Sequence, residues 1–142
     1  MINLIVKFEQ DANRVSKQLE KAVLLGVRMG FYYSGKLATK YLQDNIKDTT
    51  TKTGLFYPYK KKMIRASASG EYVANRSGKL RKSVGFSVDS SEQLRFGVGV
   101  EYAKYLAKTR KMVEEPLKEN REQIQKIILE QIKKQKDKIK AI

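Results

Sequence analysis

Few residues in this chain have types and spacings that could do chemistry. "GFYYSGKL" (Gly30 to Leu37) has the G-x-x-x-x-G-K spacing of a loop whose backbone cradles phosphates while its lysine reaches them. Leu37 stands where such a loop needs a magnesium-binding hydroxyl, two tyrosines fill the cradle, and no strand precedes it. The segment is read as helix. "GVGV" (Gly97 to Val100) alternates as a strand and opens no helix, so it is not a nucleotide loop. Glu114 and Glu115 adjoin a helix start, where the helix dipole accounts for them. The 142 residues include no Cys and no His. That removes disulfides, thiolate and imidazole metal sites, and the commonest general base. No serine has a lysine-dyad signature beside it. The expectation is a protein that is not an enzyme and holds no metal or cofactor.

The other chemically suggestive region is basic. "RASASGEYVANRSGKLRKS" (Arg65 to Ser83) carries one carboxylate, Glu71. Lys60, Lys61, Lys62, Arg65, Arg76, Lys79, Arg81 and Lys82 are interleaved with Tyr57, Tyr59 and Tyr72. Such a stretch can grip a phosphate backbone and stack bases. It can equally be a solvated loop, or a docking arm whose guanidiniums pair with a neighbouring subunit's carboxylates. Composition leaves all three open. The whole chain has 30 Lys and Arg against 15 acidic residues, a net charge of +15 that attracts nucleic acid, anionic membrane or an acidic protein.

The elements that must position these residues follow from periodicity. Ile2, Leu4, Val6 and Phe8 alternate, which predicts a short strand, and Asp11 can cap the helix after it. From Ala12 to about Lys47, Val15, Leu19, Val23, Val27, Phe31, Leu37, Tyr41 and Leu42 recur at helical spacing with one break. Gly26, Gly30 and Gly35 interrupt that pattern. They signal either close packing of another element or a bend. "LFYPYKKKMIRAS" predicts two short strands around a lysine turn, with Pro58 confining the first to an edge. "SGKLRKSV" predicts one helical turn leading into a strand. Val84, Phe86 and Val88, then Leu94, Phe96, Val98 and Val100, alternate as a hairpin, with Gly85, Gly97 and Gly99 on the face where something could lie close. "YAKYLAK" predicts a short helix, and Pro116 suits the first turn of a final one. Leu117, Ile124, Ile128, Ile132, Ile139 and Ile142 lie near one stripe of it.

These elements describe one α+β domain over residues 1–142. It has an N-terminal strand and long helix, a small antiparallel sheet with a β-hairpin and a long basic loop, mobile over about 60–83, and a C-terminal helix. No apolar run approaches the roughly 20 residues of a membrane span. The N-terminus lacks signal-peptide anatomy, so a reducing, cytosol-like compartment is expected.

The order of the segments resembles a family. Ala66, Ser67, Gly70, Glu71, Ala74, Ser77, Gly78, Leu80, Arg81 and Ser83 match an A-S-x-x-G-E-x-x-A-x-x-(S/T)-G-x-L-R-x-S segment. Tyr102, Ala103, Tyr105, Leu106 and Thr109 match a Y-A-x-Y-(V/L)-E-x-G-T signature, and Pro116 with Leu117 an R-P-(F/W)-(L/M) helix start. Together they are similar to the neck or tail-completion (head–tail joining, minor tail) proteins of long-tailed bacteriophages. The match runs from Lys52 to about Arg121. It departs at Ala107-Lys108, where the family has Glu-x-Gly, and at Glu115, where it has Arg. The resemblance implies a structural virion protein, made in the host cytoplasm, that forms a homo-oligomeric ring at the head–tail junction. Six-fold symmetry is preferred, with twelve-fold the alternative on the portal side. Its implied partners are connector and head-closure proteins, tail-terminator or tail-tube proteins, and double-stranded DNA passing through the channel, with no membrane. The rival expectation is a nucleic-acid-binding protein that uses the basic loop directly.

Overall fold

The computed structural model describes residues 14–75, 77–89 and 93–140. The strand expected at Ile2 to Phe8, the Asp11 cap and Arg76 lie outside the described residues. In chain order the elements are α1 (Arg14–Lys47), β1 (Phe56–Tyr59), β2 (Lys62–Arg65), α2 (Lys79–Lys82), β3 (Val84–Val88), β4 (Leu94–Val98), α3 (Ala103–Leu106), α4 (Glu114–Glu119) and α5 (Arg121–Lys140). The architecture is α+β, with two separate two-stranded antiparallel sheets, β1–β2 and β3–β4, where one small sheet was expected. No helix among the described residues is long and apolar enough to cross a membrane.

Two compact units divide the chain. The first holds α1 as far as Lys36, the segment Ser87–Arg95, and the chain from Asn120 onward. Its core is the buried stripe of α1, made by Ala22, Val23, Val27 and Phe31, together with Leu94 and with Ile124 and Ile128 of α5. The three- and four-residue spacing on both helices puts these side chains on single faces. Gly26 and Gly30 settle the choice left by the sequence: α1 runs through them unbroken, and they let α5 pack close. A Cβ on Gly26 would stand 2.5 Å from the Cα of Ile132, and one on Gly30 would stand 2.7 Å from that of Ile128. The pairing 26 with 132 and 30 with 128 makes the two helices antiparallel.

The second unit holds Leu37–Phe86 and Phe96–Glu119. Leu42 and Ile46 from the last turns of α1 gather Tyr72, Val73, Leu80, Val84, Ala103 and Met112 into one cluster. Phe96, Val98 and Val100 pack against it, so the alternation that predicts β4 also supplies its inward face. Gly85 and Gly97 have no atom of the described residues within 4 Å of an added Cβ, so the close approach expected over them is absent there. The expected final helix is two: α4 ends at Glu119, and Asn120 separates it from α5.

Candidate functional site

The second unit contains most of the residues that the sequence singles out. The β1–β2 hairpin closes through Lys60 and Lys61, with Phe56 opposite Arg65, Tyr57 opposite Ile64, Pro58 opposite Met63 and Tyr59 opposite Lys62. Both turn lysines have positive φ, 46° and 64°. That is the backbone of a two-residue turn which usually takes Asn-Gly, so each lysine is held in a conformation that costs it energy. Leu55, Phe56 and Met63 are 86%, 59% and 64% exposed. The hairpin therefore presents apolar side chains to solvent, Phe56 and Met63 on the same face as Arg65 by the strand register. Arg65 itself sits over the Phe56 ring at 4.9 Å and donates to the Gly54 carbonyl at 3.1 Å.

The stretch after β2 is clasped rather than open. Gly70, at φ 83°, donates its N–H to the Thr109 carbonyl at 2.7 Å. Lys111 donates its N–H to the Glu71 carbonyl at 2.8 Å, and Tyr72 forms a parallel bridge with Lys111. Arg110 donates Nε to Ser67 Oγ and a terminal nitrogen to the Ser67 carbonyl, both at 3.0 Å. Glu71, the one carboxylate of the basic stretch, bonds within the chain: Oε1 accepts the N–H groups of Ala68 (2.6 Å) and Thr53 (3.0 Å), and Oε2 accepts the Thr53 hydroxyl at 2.8 Å. The Ala68 and Thr53 amides hold its carboxyl below the usual carboxylate range.

Tyr72 is 8% exposed, so its ring is core rather than surface. Its hydroxyl donates to Glu119 Oε2 at 3.1 Å, Tyr41 donates to the same oxygen, and Lys111 Nζ lies 3.5 Å from Oε1. Burial pushes the Glu119 carboxyl up, but the two hydroxyls and Lys111 outweigh it and bring it below its ordinary value. Burial first, then the Glu119 charge, drives the Tyr72 hydroxyl well above the usual tyrosine pKa. The Glu119 hydrogen bond raises Tyr41 as well.

Several of the remaining motif residues make contacts within the fold. Gly78, also at φ 83°, begins α2, and Leu80 is buried beneath it. Arg81 donates Nε to the Gln43 carbonyl at 3.3 Å, while Gln43 Nε2 donates to the Arg81 carbonyl at 3.0 Å. Ser83 donates Oγ to the Leu80 carbonyl at 2.7 Å, and its own carbonyl accepts the Gly99 N–H. Ala103 and Pro116 are buried in α3 and α4. Glu115, where the family pattern has Arg, accepts the Met112 N–H at 3.0 Å and so fixes the chain entering α4. Lys82 is exposed.

Sequence reasoning missed Lys52. It is 3% exposed, and its Nζ donates to the Asn45 carbonyl at 2.7 Å at the C-terminal end of α1. Burial lowers its pKa, against the pull of Asp48 and Glu71. It caps the helix from a position that no periodicity marks.

A groove of about 980 Å³ opens in this unit. Tyr57 and Tyr59 of β1 form part of it, and Tyr102 and Tyr105, beside and within α3, form another part. Lys60, Lys79 and Arg110 supply its charge, and no carboxylate is among the described residues that line it. No cluster of three or more carboxylates that could hold a metal occurs among the described residues. No family profile, curated protein or solved structure matches the chain.

Proposed function

We propose that the chain is a structural subunit of a tailed-bacteriophage virion, joining head to tail as one member of a homo-oligomeric ring around the DNA channel. The observation that carries this reading is the β1–β2 hairpin. A two-stranded hairpin is marginally stable on its own, yet this one exposes Phe56 and Met63, which the strand register places on one face. Among the described residues β2 pairs only with β1, and Pro58 removes an N–H from the outer edge of β1. The β2 edge is therefore the one open to a further strand. A head-to-tail contact of this kind between identical subunits closes into a ring when its rotation permits. The preferred order is six. Connector and tail-tube proteins would meet the ring above and below.

The clasp supports the same reading. Glu71 and Arg110 bond backbone groups of other segments, and Glu119 gathers the Tyr41, Tyr72 and Lys111 side chains, which suits a part defined by its shape. Light scattering over a concentration series, followed by electron microscopy, tests the proposal. A discrete multimer imaged as a closed ring is expected. A species that stays monomeric to its solubility limit, or forms open chains, overturns it. The rival, direct nucleic-acid binding, is favoured by a separate feature: the tyrosine-walled groove.

A further inference from the structure

We propose that this groove binds single-stranded nucleic acid, with tyrosine rings stacking on bases and the surrounding cations taking phosphates. The inference stands independently of ring formation. Tyr102 and Tyr105 are 45% and 63% exposed. These are large rings left partly in water at a concave surface. Tyr57 and Tyr59 follow at period two on one face of β1. The groove thus has aromatic surface from two segments far apart in the chain.

Charge selects the ligand. Lys60, Lys79 and Arg110 form no ion pair with a carboxylate among the described residues. Arg110 spends its hydrogen bonds on neutral acceptors, the Ser67 and Thr109 oxygens, and keeps its full charge. Lys104 and Lys108 add two further cations, 5.2 and 5.9 Å from the Tyr105 ring centre. A site with positive charge, several π faces and no carboxylate in its lining suits a flexible polyanion that carries flat apolar groups. Single-stranded DNA or RNA is that polymer, and stacking on tyrosine is tolerant of sequence. A duplex keeps its bases stacked on one another and cannot use the rings. An acidic peptide meets the cations but uses the rings poorly.

Fluorescence anisotropy with labelled oligo-dT and oligo-U of about 12 nucleotides, a length within the usual single-strand site range, tests this across a sodium chloride series. Both oligomers are expected to bind, and the difference between them reports DNA against RNA. Tyr102→Ala with Tyr105→Ala should weaken binding about tenfold or more while leaving the salt slope unchanged. Lys60→Ala with Lys79→Ala should reduce the slope, by about 0.7 for each phosphate that is no longer neutralised. Lys133→Ala with Lys134→Ala, in the other unit, controls for the general positive field. The proposal is overturned by failure to bind, by equal loss from the Lys133/Lys134 pair, or by tyrosine variants that bind as well as the parent. Equal competition from a duplex or from poly-glutamate also overturns it. A protein that forms rings yet fails these arms loses this site and keeps the proposed assembly; one that binds but stays monomeric does the reverse.

Discussion

Gly70 donates its backbone N–H to the carbonyl of Thr109 at 2.7 Å. That bond joins the two segments on which the family resemblance rests, and it needs a left-handed Gly70, at φ 83°. Around it, Ser67 meets Arg110, and the Glu71 and Tyr72 backbone meets Lys111. What look like two separate short motifs are the two sides of one clasp.

Glu71 is the centre of that clasp, and its removal should be felt in stability before anything else. Glu71→Ala leaves the Thr53 and Ala68 amides without their acceptor and should lower the melting temperature. Glu71→Gln keeps an acceptor oxygen and should cost less. The carboxyl titrates lower in the folded than in the unfolded protein. Its contribution is therefore present above the ordinary glutamate pKa of about 4.3 and lost as pH falls through the folded value. Thermal melts from neutral pH down to about pH 3 should show a flatter acid limb for Glu71→Gln than for the parent.

The helix crossing should be intolerant of a single methyl group. Gly30→Ala and Gly26→Ala each improve helix propensity by roughly 1 kcal/mol. Each also drives a Cβ into the α5 backbone, at 2.7 and 2.5 Å. Because backbone cannot rotate away, a net loss of about 1–3 kcal/mol is expected for each in urea unfolding.

The tyrosine pair contributes to the loss of stability at alkaline pH. Tyr41 and Tyr72 both hold their protons to higher pH when folded, so they add stability below about pH 10 that disappears as pH rises beyond it. Tyr72→Phe should cost about 1 kcal/mol and soften that alkaline loss. Glu119→Gln should bring both phenols to lower pH, which tyrosinate absorbance measures directly. Tyr41→Phe with Tyr72→Phe should be non-additive, since both hydroxyls serve the same carboxylate oxygen.

Phe56→Glu with Met63→Glu separates assembly from folding. Both side chains are more than half exposed, so monomer stability should stay within about 0.5 kcal/mol of the parent. Light scattering should show self-association lost.

The lysine turn offers the opposite experiment. Lys60→Asn with Lys61→Gly places the residues that favour positive φ in the two-residue turn, and stability should rise by about 1 kcal/mol. Oligonucleotide affinity should fall with the removal of the groove cation at residue 60.

Much of the architecture is local and was legible in the residue order. The period of three to four from Val23 to Leu42 makes α1, the short runs either side of the lysine turn make one hairpin, the alternations either side of Asp89 make the other, and Gly78 followed by Lys79–Lys82 makes α2. Each follows from the geometry of a few neighbouring residues, which sequence spacing encodes directly. The absence of His and Cys was equally plain. What the tertiary structure alone decided is which distant segments meet. Tyr72 looked like an exposed ring among cations, and packing turned it inward onto Glu119. Lys52 carries no mark in the sequence, and the structure buries it at the end of α1. Tyr102 and Tyr105 join Lys60 at one groove, although nothing in either segment refers to the other. Such pairings depend on how the chain closes into a core, a property of the whole packing that no local periodicity carries.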